Sequence, residues 1–342
     1  MRKERKNMKS LLKRILIVIV ILSLTVSLLS ACAGDNNDET DTTDGVTVGT
    51  DPEEVTTEKQ TEKVETTKDE ETTEPETEDP FAGAASPLLA EIARKIAQSE
   101  NYLIFTIGDS VTEGQGATEL QPGTPDPNKS YTAMFAKKLG EKFGNKSVDR
   151  FDGEPYGEPG ADRTIVYPDN PVSVQIGLGT GKITVARCGV GGDTTNKLLA
   201  RKSDFIGKEL NGQTGNLFII CIGINDSWPG AKYAPIPTYK NQLNTLIDSI
   251  KETHPDADII LMTPTYVGDN GNVLTGYANA VKSVAKSRNI ACIDLHQMFL
   301  DHKVEGAPNY GQGDWLSDNC HPSDIGHEAV ADEMIRYLFG EN

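Results

Sequence analysis

Positive charge is scarce in this sequence. Its 342 residues include 33 Lys and Arg against 51 Asp and Glu, which gives a formal net charge of −18. Proteins that bind nucleic acid present a basic surface, so this composition argues against a nucleic-acid partner. The deficit is uneven, because residues 35–79 hold eighteen acids and three lysines, whereas residues 80–342 carry a net charge of −9. Most of the acidity therefore belongs to one segment.

The acidic segment also lacks apolar residues. Its four valines are scattered without a shared period through a run of Thr, Glu and Asp. Such a chain cannot bury enough surface to offset the entropy cost of ordering, and its like charges keep it extended. We predict a disordered spacer over residues 32–85. Residues 86–342 then remain for one folded domain with a large core.

Cysteine is rare as well, with five in the chain. Cys221 and Cys292 lie in apolar runs that predict strands, so we interpret both as small buried hydrophobic side chains. Spacing does not fix any pairing among these two, Cys188 and Cys320. We expect the four to be free thiols.

The fifth cysteine, Cys32, follows a basic stretch and the apolar run Ile15–Leu22. This order is typical of a secretory signal. The sequence Leu29-Ser30-Ala31-Cys32 resembles the lipobox of bacterial lipoproteins, in which the chain is cut before a cysteine that is then lipidated. The resemblance implies a signal peptide over residues 1–31 and an exported domain, anchored to the cell membrane through lipidated Cys32. An uncleaved membrane-spanning helix is the alternative, since the apolar stretch is nearly long enough to span.

In the remaining chain, apolar periodicity predicts alternating strands and helices. Ser86-Pro87 has the N-cap and first-turn residues that begin a helix. Strands are predicted at 102–107, 183–186, 217–222, 258–262 and 290–293, and helices at 131–143, 194–202, 239–252, 273–287 and 325–339. This alternation predicts a three-layer α/β/α sandwich with a central parallel sheet. Residues 145–182, rich in Gly, Pro and Asp, predict an inserted hairpin-like region.

Four short motifs carry groups suited to catalysis and lie far apart along the chain. They are Gly108-Asp109-Ser110, the glycine-rich stretch 189–194, Gly223-Ile224-Asn225-Asp226 and Asp318-Asn319-Cys320-His321. The first three follow predicted strands, and ligands of parallel sheets bind beyond the carboxyl ends of strands. We therefore expect a hydroxyl, backbone and amide donors, and a carboxylate–imidazole pair to meet at one rim.

In this order the motifs resemble the four sequence blocks of the SGNH (GDSL-type) hydrolases, from about residue 102 to about residue 337. The resemblance implies a flavodoxin-like fold and a serine hydrolase. Ser110 would be the nucleophile, His321 its base and Asp318 the residue that orients His321. The oxyanion hole would comprise the N–H groups of Ser110 and Gly192 and the side-chain amide of Asn225. No metal and no cofactor is implied.

Two positions depart from the family pattern. Arg187 stands where many members carry Asn, and Val111 stands where Leu is usual. Neither position performs the chemistry. With Arg at position 187, the family pattern does not predict the local packing, and Arg187 could instead contact substrate.

Other candidate residues have competing interpretations. Asp109 and Asp226 are expected to brace their own turns by accepting hydrogen bonds from nearby backbone N–H groups; an acid/base pair is the alternative. His327, with His321 and Asp324, matches no zinc spacing and favours a surface or packing role. Two tryptophans near the motifs either stack on sugar rings or fill the core, and these candidate substrate-binding residues are Trp228 and Trp315.

The expected activity is hydrolysis of a carboxylic ester, with acetyl groups on cell-wall or plant polysaccharides as the favoured substrate. The region 115–182 is expected to shape specificity. One alternative is a lysophospholipase or thioesterase, which would need an apolar channel for the acyl chain. Another is a non-catalytic, glycan-binding surface lipoprotein, against which the intact set of site residues argues.

Overall fold

The structure is a computed structural model that describes residues 79–121, 124–158, 162–230, 232–266 and 271–340. The predicted signal peptide, Cys32 and nearly all of the predicted spacer lie outside these residues. Among the described residues, no helix combines the length and the apolar character needed to cross a bilayer.

The described chain alternates strands and helices. The helices are α1 (Pro87–Gln98), α2 (Ser110–Glu113), α3 (Tyr131–Lys142), α4 (Thr195–Ala200), α5 (Ile224–Ser227), α6 (Ile236–Thr253), α7 (Gly271–Arg288), α8 (Leu295–His302) and α9 (Asp324–Phe339). The strands are β1 (Asn101–Gly108), β2 (Glu119–Gln121), β3 (Thr124–Pro125), β4 (Ser147–Asp152), β5 (Glu154–Tyr156), β6 (Thr164–Val166), β7 (Val172–Gln175), β8 (Lys182–Gly189), β9 (Glu209–Leu210), β10 (Gln213–Cys221), β11 (Asp258–Met262) and β12 (Ala291–Ile293).

The main sheet has the strand order β12-β11-β10-β1-β8-β4-β7, with β9 paired to β10. Neighbouring strands are parallel from β12 to β4, whereas β7 and β9 pair in the antiparallel sense. The five strands predicted from sequence are β1, β8, β10, β11 and β12. Their spatial order is 2-1-3-4-5, which is the flavodoxin-like order, so the predicted fold class is confirmed.

Two groups of helices cover the sheet. In one group α9 packs against α1 and α3, and in the other α6 packs against α7 and α4. Between them the strands carry the core. Phe105 of β1 and Phe218 of β10 are register partners, and their rings stack with centroids 5.6 Å apart. The aromatic pair joins the two central strands through side chains as well as through the backbone ladder.

The region 145–182 is more than the predicted hairpin insertion. β4 pairs in parallel with β8 and so extends the main sheet, and β7 then adds to β4. Sequence pattern missed β4 because buried Asp149 and Arg150 interrupt its apolar run. Both charges are paired, since Asp149 accepts from Lys182 Nζ at 2.8 Å and Arg150 Nη2 lies 2.8 Å from Asp152. Pairing is what makes such residues tolerable inside a sheet.

A matched pair of leucines tests the position of the core. Leu103 of β1 is 0% exposed, whereas Leu178 is fully exposed. We expect Leu103→Ala to lower the free energy of unfolding by about 2–5 kcal/mol, because it removes buried apolar atoms and leaves a cavity. Leu178→Ala should change it by less than about 0.5 kcal/mol. Urea unfolding measures both values, and equal losses would contradict the assignment of β1 to the core.

Candidate active site

Ser110 lies at the first position of helix α2, directly beyond the carboxyl end of β1. The side chain of Asp109 caps this helix by accepting a hydrogen bond from Val111 N at 3.0 Å. Ser110 is 5% exposed, and its Oγ lies 3.0 Å from Nε2 of His321. The tight strand-to-helix turn therefore aims the hydroxyl at the imidazole.

The loop before α9 supplies that imidazole together with its carboxylate. His321 Nδ1 lies 2.8 Å from Asp318 Oδ2, while Asp318 Oδ1 accepts the N–H groups of Cys320 and His321 at 2.7 Å each. Because the carboxylate accepts, Nδ1 carries the proton and Nε2 presents its lone pair to Ser110 Oγ. Burial alone would raise the pKa of the Asp318 carboxyl. The hydrogen bonds from His321 and Cys320 outweigh burial and hold that pKa below its usual value.

The expected oxyanion donors belong to the turns after β1, β8 and β10. Gly192 has φ of +82°, a conformation that a residue with a Cβ rarely adopts. Within the described chain, the N–H groups of Ser110 and Gly192 have no acceptor. Asn225 Nδ2 donates to Asp193 O at 2.9 Å, which leaves its second amide hydrogen to donate elsewhere.

Charged side chains fix the glycine turn 189–194 against helix α2. Gly191 N donates to Glu113 Oε2 at 2.5 Å, and Arg163 Nη2 donates to Gly191 O at 2.6 Å. The approach of backbone to backbone is close, since a Cβ added at Gly189 would lie 2.1 Å from Glu113 N. These contacts set the direction in which the neighbouring N–H of Gly192 points.

A buried arginine, Arg201, ties the same turn to the ends of two strands. Its guanidinium donates to Asp193 Oδ2 at 2.5 Å, to Gly108 O at 3.1 Å and to Cys188 O at 3.2 Å. Arg201 is 6% exposed and also lies 3.6 Å from Asp204 Oδ2. Sequence reasoning missed this residue, because no motif marks an arginine just beyond a short helix. We assign Arg201 as a positioning residue.

The interpretation that Asp109 braces its own turn is confirmed, whereas Asp226 holds a neighbouring helix and not its own turn as predicted. Asp109 caps α2, and Asp226 accepts bonds from both N and Oγ1 of Thr195. The partner of Asp226 thus lies on α4, beyond its own turn, so Asp226 links the second and third motifs. Burial raises the pKa of Asp109 to about 7 and that of Asp226 to about 6.

The packing role of His327 is also confirmed. His327 is fully buried, its Nδ1 accepts from Tyr131 N at 3.3 Å, and its Nε2 donates to Gln115 O at 3.1 Å. Burial lowers its pKa to about 4, so the ring is neutral. Asp324 pairs instead with Lys129 Nζ at 2.5 Å. No group of three or more His, Cys, Asp or Glu that could hold a metal ion occurs among the described residues.

Arg187 is buried in the sheet at the position where the family pattern departs. Its guanidinium donates to Glu113 O and to Glu154 Oε1, both at 2.7 Å. Arg187 therefore holds the last residue of helix α2, the helix that carries Ser110. These contacts give Arg187 a packing role. They do not support the alternative role, a contact with substrate.

The two tryptophans differ in their surroundings. Trp228 is half-buried against the core, three residues after Asn225. Trp315 stacks on His302 with ring centroids 3.6 Å apart. It also lines a cavity of about 760 Å³ between α3 and α9 that contains none of Ser110, Asp318 or His321. One face of the Trp315 indole is thus already occupied by protein.

The four described cysteines are free, as expected. Cys188 and Cys221 are buried, whereas Cys292 and Cys320 are partly buried. Burial raises the pKa of Cys320 to about 12, so this thiol beside His321 stays protonated.

The fold and the Ser110–His321–Asp318 contacts define a serine hydrolase. Residues 167–329 match the model of the GDSL-like Lipase/Acylhydrolase family. The match includes Gly192, Asn225, Asp318 and His321 and begins after Ser110. The assignment of Ser110 as the nucleophile therefore rests on its contact with His321 and not on this match.

The chain is also similar to a GDSL esterase/lipase of Arabidopsis thaliana, with 26% identity over 156 residues. That match covers 39% of this chain and 62% of the relative. Among solved structures, the acetyl xylan esterase AlAXEase has TM-score 0.47 at 20% identity, covering 68% of this chain and 97% of that one. A lipase/acylhydrolase from Enterococcus faecalis has TM-score 0.46 at 18% identity, covering 70% and 96%.

The role of Arg201 is tested by Arg201→Lys, which keeps the charge but cannot span the same acceptors. We expect kcat to fall about 10- to 100-fold with little change in KM, because a misaligned Gly192 N–H weakens only the transition state. Arg150→Lys is the matched control, since Arg150 is also a buried, paired arginine but does not contact the glycine turn. Steady-state kinetics on a nitrophenyl ester separate the outcomes. Equal effects of the two variants on kcat would contradict a positioning role.

The raised pKa of Asp109 predicts a pH effect on stability. A buried carboxyl whose folded pKa lies above its unfolded value stabilises the fold at low pH, and this contribution is lost as the pH rises towards about 7. Asp109→Asn keeps an acceptor for Val111 N and removes the charge. We therefore expect its stability relative to the wild type to rise between pH 5 and pH 7, by at most about 1.4 kcal/mol per pH unit. Urea unfolding at several pH values measures this difference, and a constant difference would refute the pKa assignment.

Proposed function

We propose that this protein is a serine esterase that hydrolyses carboxylic esters, and that its substrates are O-acetyl groups on polysaccharides. The observation that carries the proposal is the 3.0 Å contact between His321 Nε2 and Ser110 Oγ, with Asp318 Oδ2 2.8 Å from His321 Nδ1. A serine hydroxyl is a weak nucleophile without an adjacent base, and this contact supplies the base.

In the first half of the reaction, Ser110 Oγ attacks the ester carbonyl and His321 Nε2 takes its proton. Asp318 accepts the Nδ1–H and stabilises the imidazolium that forms. The carbonyl oxygen becomes an oxyanion and receives hydrogen bonds from Ser110 N, Gly192 N and the second amide hydrogen of Asn225. Loss of one such donor typically costs about 3 kcal/mol of transition-state stabilisation.

The tetrahedral intermediate then collapses. The bond to the alcohol oxygen breaks, and His321 returns the proton to the departing sugar hydroxyl. An acetyl group remains on Ser110 Oγ. A water molecule, deprotonated by His321, attacks this acyl-enzyme in the same way and releases acetate and free Ser110.

The surroundings of Gly192 favour a short acyl group on a polar alcohol. A cavity of about 280 Å³ adjoins the glycine turn through Thr194, and most of its lining residues are polar or charged: Thr194, Asn196, Lys197, Asp226, Lys232, Thr238 and Gln242, with Tyr233, Ala234 and Pro235. A long acyl chain needs an apolar channel, because the hydrophobic effect is its main source of binding energy. The lining of this cavity supports the acetylated glycan over the lipid.

We propose further that the domain is exported and anchored to the outer side of the cell membrane through lipidated Cys32. Support comes from the sequence Leu29-Ser30-Ala31-Cys32, which follows a basic stretch and the apolar run Ile15–Leu22 and resembles a lipobox.

The activity is tested with Ser110→Ala. We expect release of acetate from acetylated xylan to fall at least about 1,000-fold, because the remaining site residues have no nucleophile to activate. Ser283→Ala, at an exposed serine of α7, is the matched control and should keep full activity. Circular dichroism verifies that both variants fold. Acetate release by folded Ser110→Ala at the wild-type rate would remove the proposal.

The preferred acyl group is tested by comparing nitrophenyl acetate with nitrophenyl esters of long-chain acids. We expect kcat/KM to fall as the chain lengthens, because the cavity beside the glycine turn offers a long chain few apolar contacts. A strong preference for long chains would instead support a lipid acyl hydrolase.

A further inference from the structure

A lysine ammonium lies over the glycine turn of the site. A Cβ built on Gly192 would lie 3.1 Å from Nζ of Lys232. Since Gly192 N is one of the proposed oxyanion donors, this ammonium stands beside the place where the ester reacts. Lys232 is exposed, and none of the carboxylates in the described chain forms an ion pair with it. Its charge is available to a bound molecule.

Two further cations adjoin the same turn. Arg163 Nη2 donates to Gly191 O at 2.6 Å. Lys197, on α4, lines the 280 Å³ cavity together with Lys232. The three side chains come from separate stretches of the chain, and they surround the turn in a domain whose net charge is −9. Three cations therefore adjoin this turn, although the domain as a whole is acidic.

The nearby carboxylates already have partners. Glu113 accepts from Gly191 N at 2.5 Å, and Asp193 accepts from Arg201 Nε at 2.5 Å. Asp226 is fully buried and accepts from Thr195. Asp162, which is exposed, lies 3.9 Å from Lys197 Nζ. Lys232 is thus the cation beside the turn that these groups leave uncompensated.

We propose that Lys232, supported by Arg163 and Lys197, forms a cationic subsite that binds a carboxylate of the ester substrate. This inference rests on the proposed esterase function. The chemical class it selects is an acetylated glycan that contains uronic acids. The carboxylate is bound and left unchanged, while the acetyl ester of a sugar hydroxyl in the same glycan is hydrolysed at Ser110.

The matched substrates for a test are O-acetylated polygalacturonate and the same polymer with its carboxylates methyl-esterified. Both carry the same acetyl groups on the same sugars, and only the charge differs. We expect kcat/KM for acetate release to be about 2- to 5-fold higher on the charged polymer at low salt, as for exposed ion pairs. The preference should shrink in 0.5 M NaCl, because salt screens exposed charges.

Two variants assign the preference to the lysine. Lys232→Gln should lower the charged-to-neutral ratio of kcat/KM towards one, and Lys232→Glu should bring it below one. Lys240→Gln is the matched control, because Lys240 is a partly exposed lysine of α6 that donates to Ser283 Oγ at 3.0 Å, away from the turn. This control should keep the wild-type ratio.

Three results would overturn the inference. They are equal rates on the two polymers, a preference that Lys232→Glu does not reduce, and an equal loss on both polymers in Lys232→Gln. The last result would mean that the ammonium acts on the transition state. Failure of the esterase function itself is recognised separately, because neither polymer nor nitrophenyl acetate would then release acetate.

Discussion

The parallel register of β1 with β8 and β10 is the constraint on which the site depends. Gly108 is the partner of Gly189 on one side and of Cys221 on the other, so all three strands end at one level. The strand register therefore brings the turns that follow them to the same edge of the sheet. A change of register by two residues would separate these turns by about 7 Å, which is more than a hydrogen bond can span.

Buried charge holds the turns where the register brings them. Arg201 donates to the backbone of β1 and β8 and to Asp193, and Glu113 accepts from Gly191. A buried ion pair of this kind contributes little net stability, because desolvation offsets its attraction. The ion pair of Arg201 with Asp193 instead fixes the position of the glycine turn that contains Gly192. The site is thus specified by groups that do not touch the substrate.

Sequence pattern predicted the regular elements well where apolar residues follow one period. The helix after Ser86-Pro87 begins as predicted, with Leu89 N donating to Ser86 Oγ at 3.3 Å. Pattern failed at β4, where paired charges stand at buried positions and the apolar period is broken. The family resemblance located Ser110 and His321, because their motifs are short and local. It gave no sign of Arg201 or Lys232, whose roles come from neighbours far along the chain.

The amino-acid sequence alone therefore determined the fold class and which residues carry chemical groups suited to acyl transfer. Local period and local motif are sufficient for both, since each depends on residues a few positions apart. The tertiary structure decided which groups meet. The 3.0 Å contact of Ser110 with His321 spans 211 positions, and the approach of Lys232 to Gly192 joins two separate loops. Such distances depend on packing and register, which composition and periodicity do not encode.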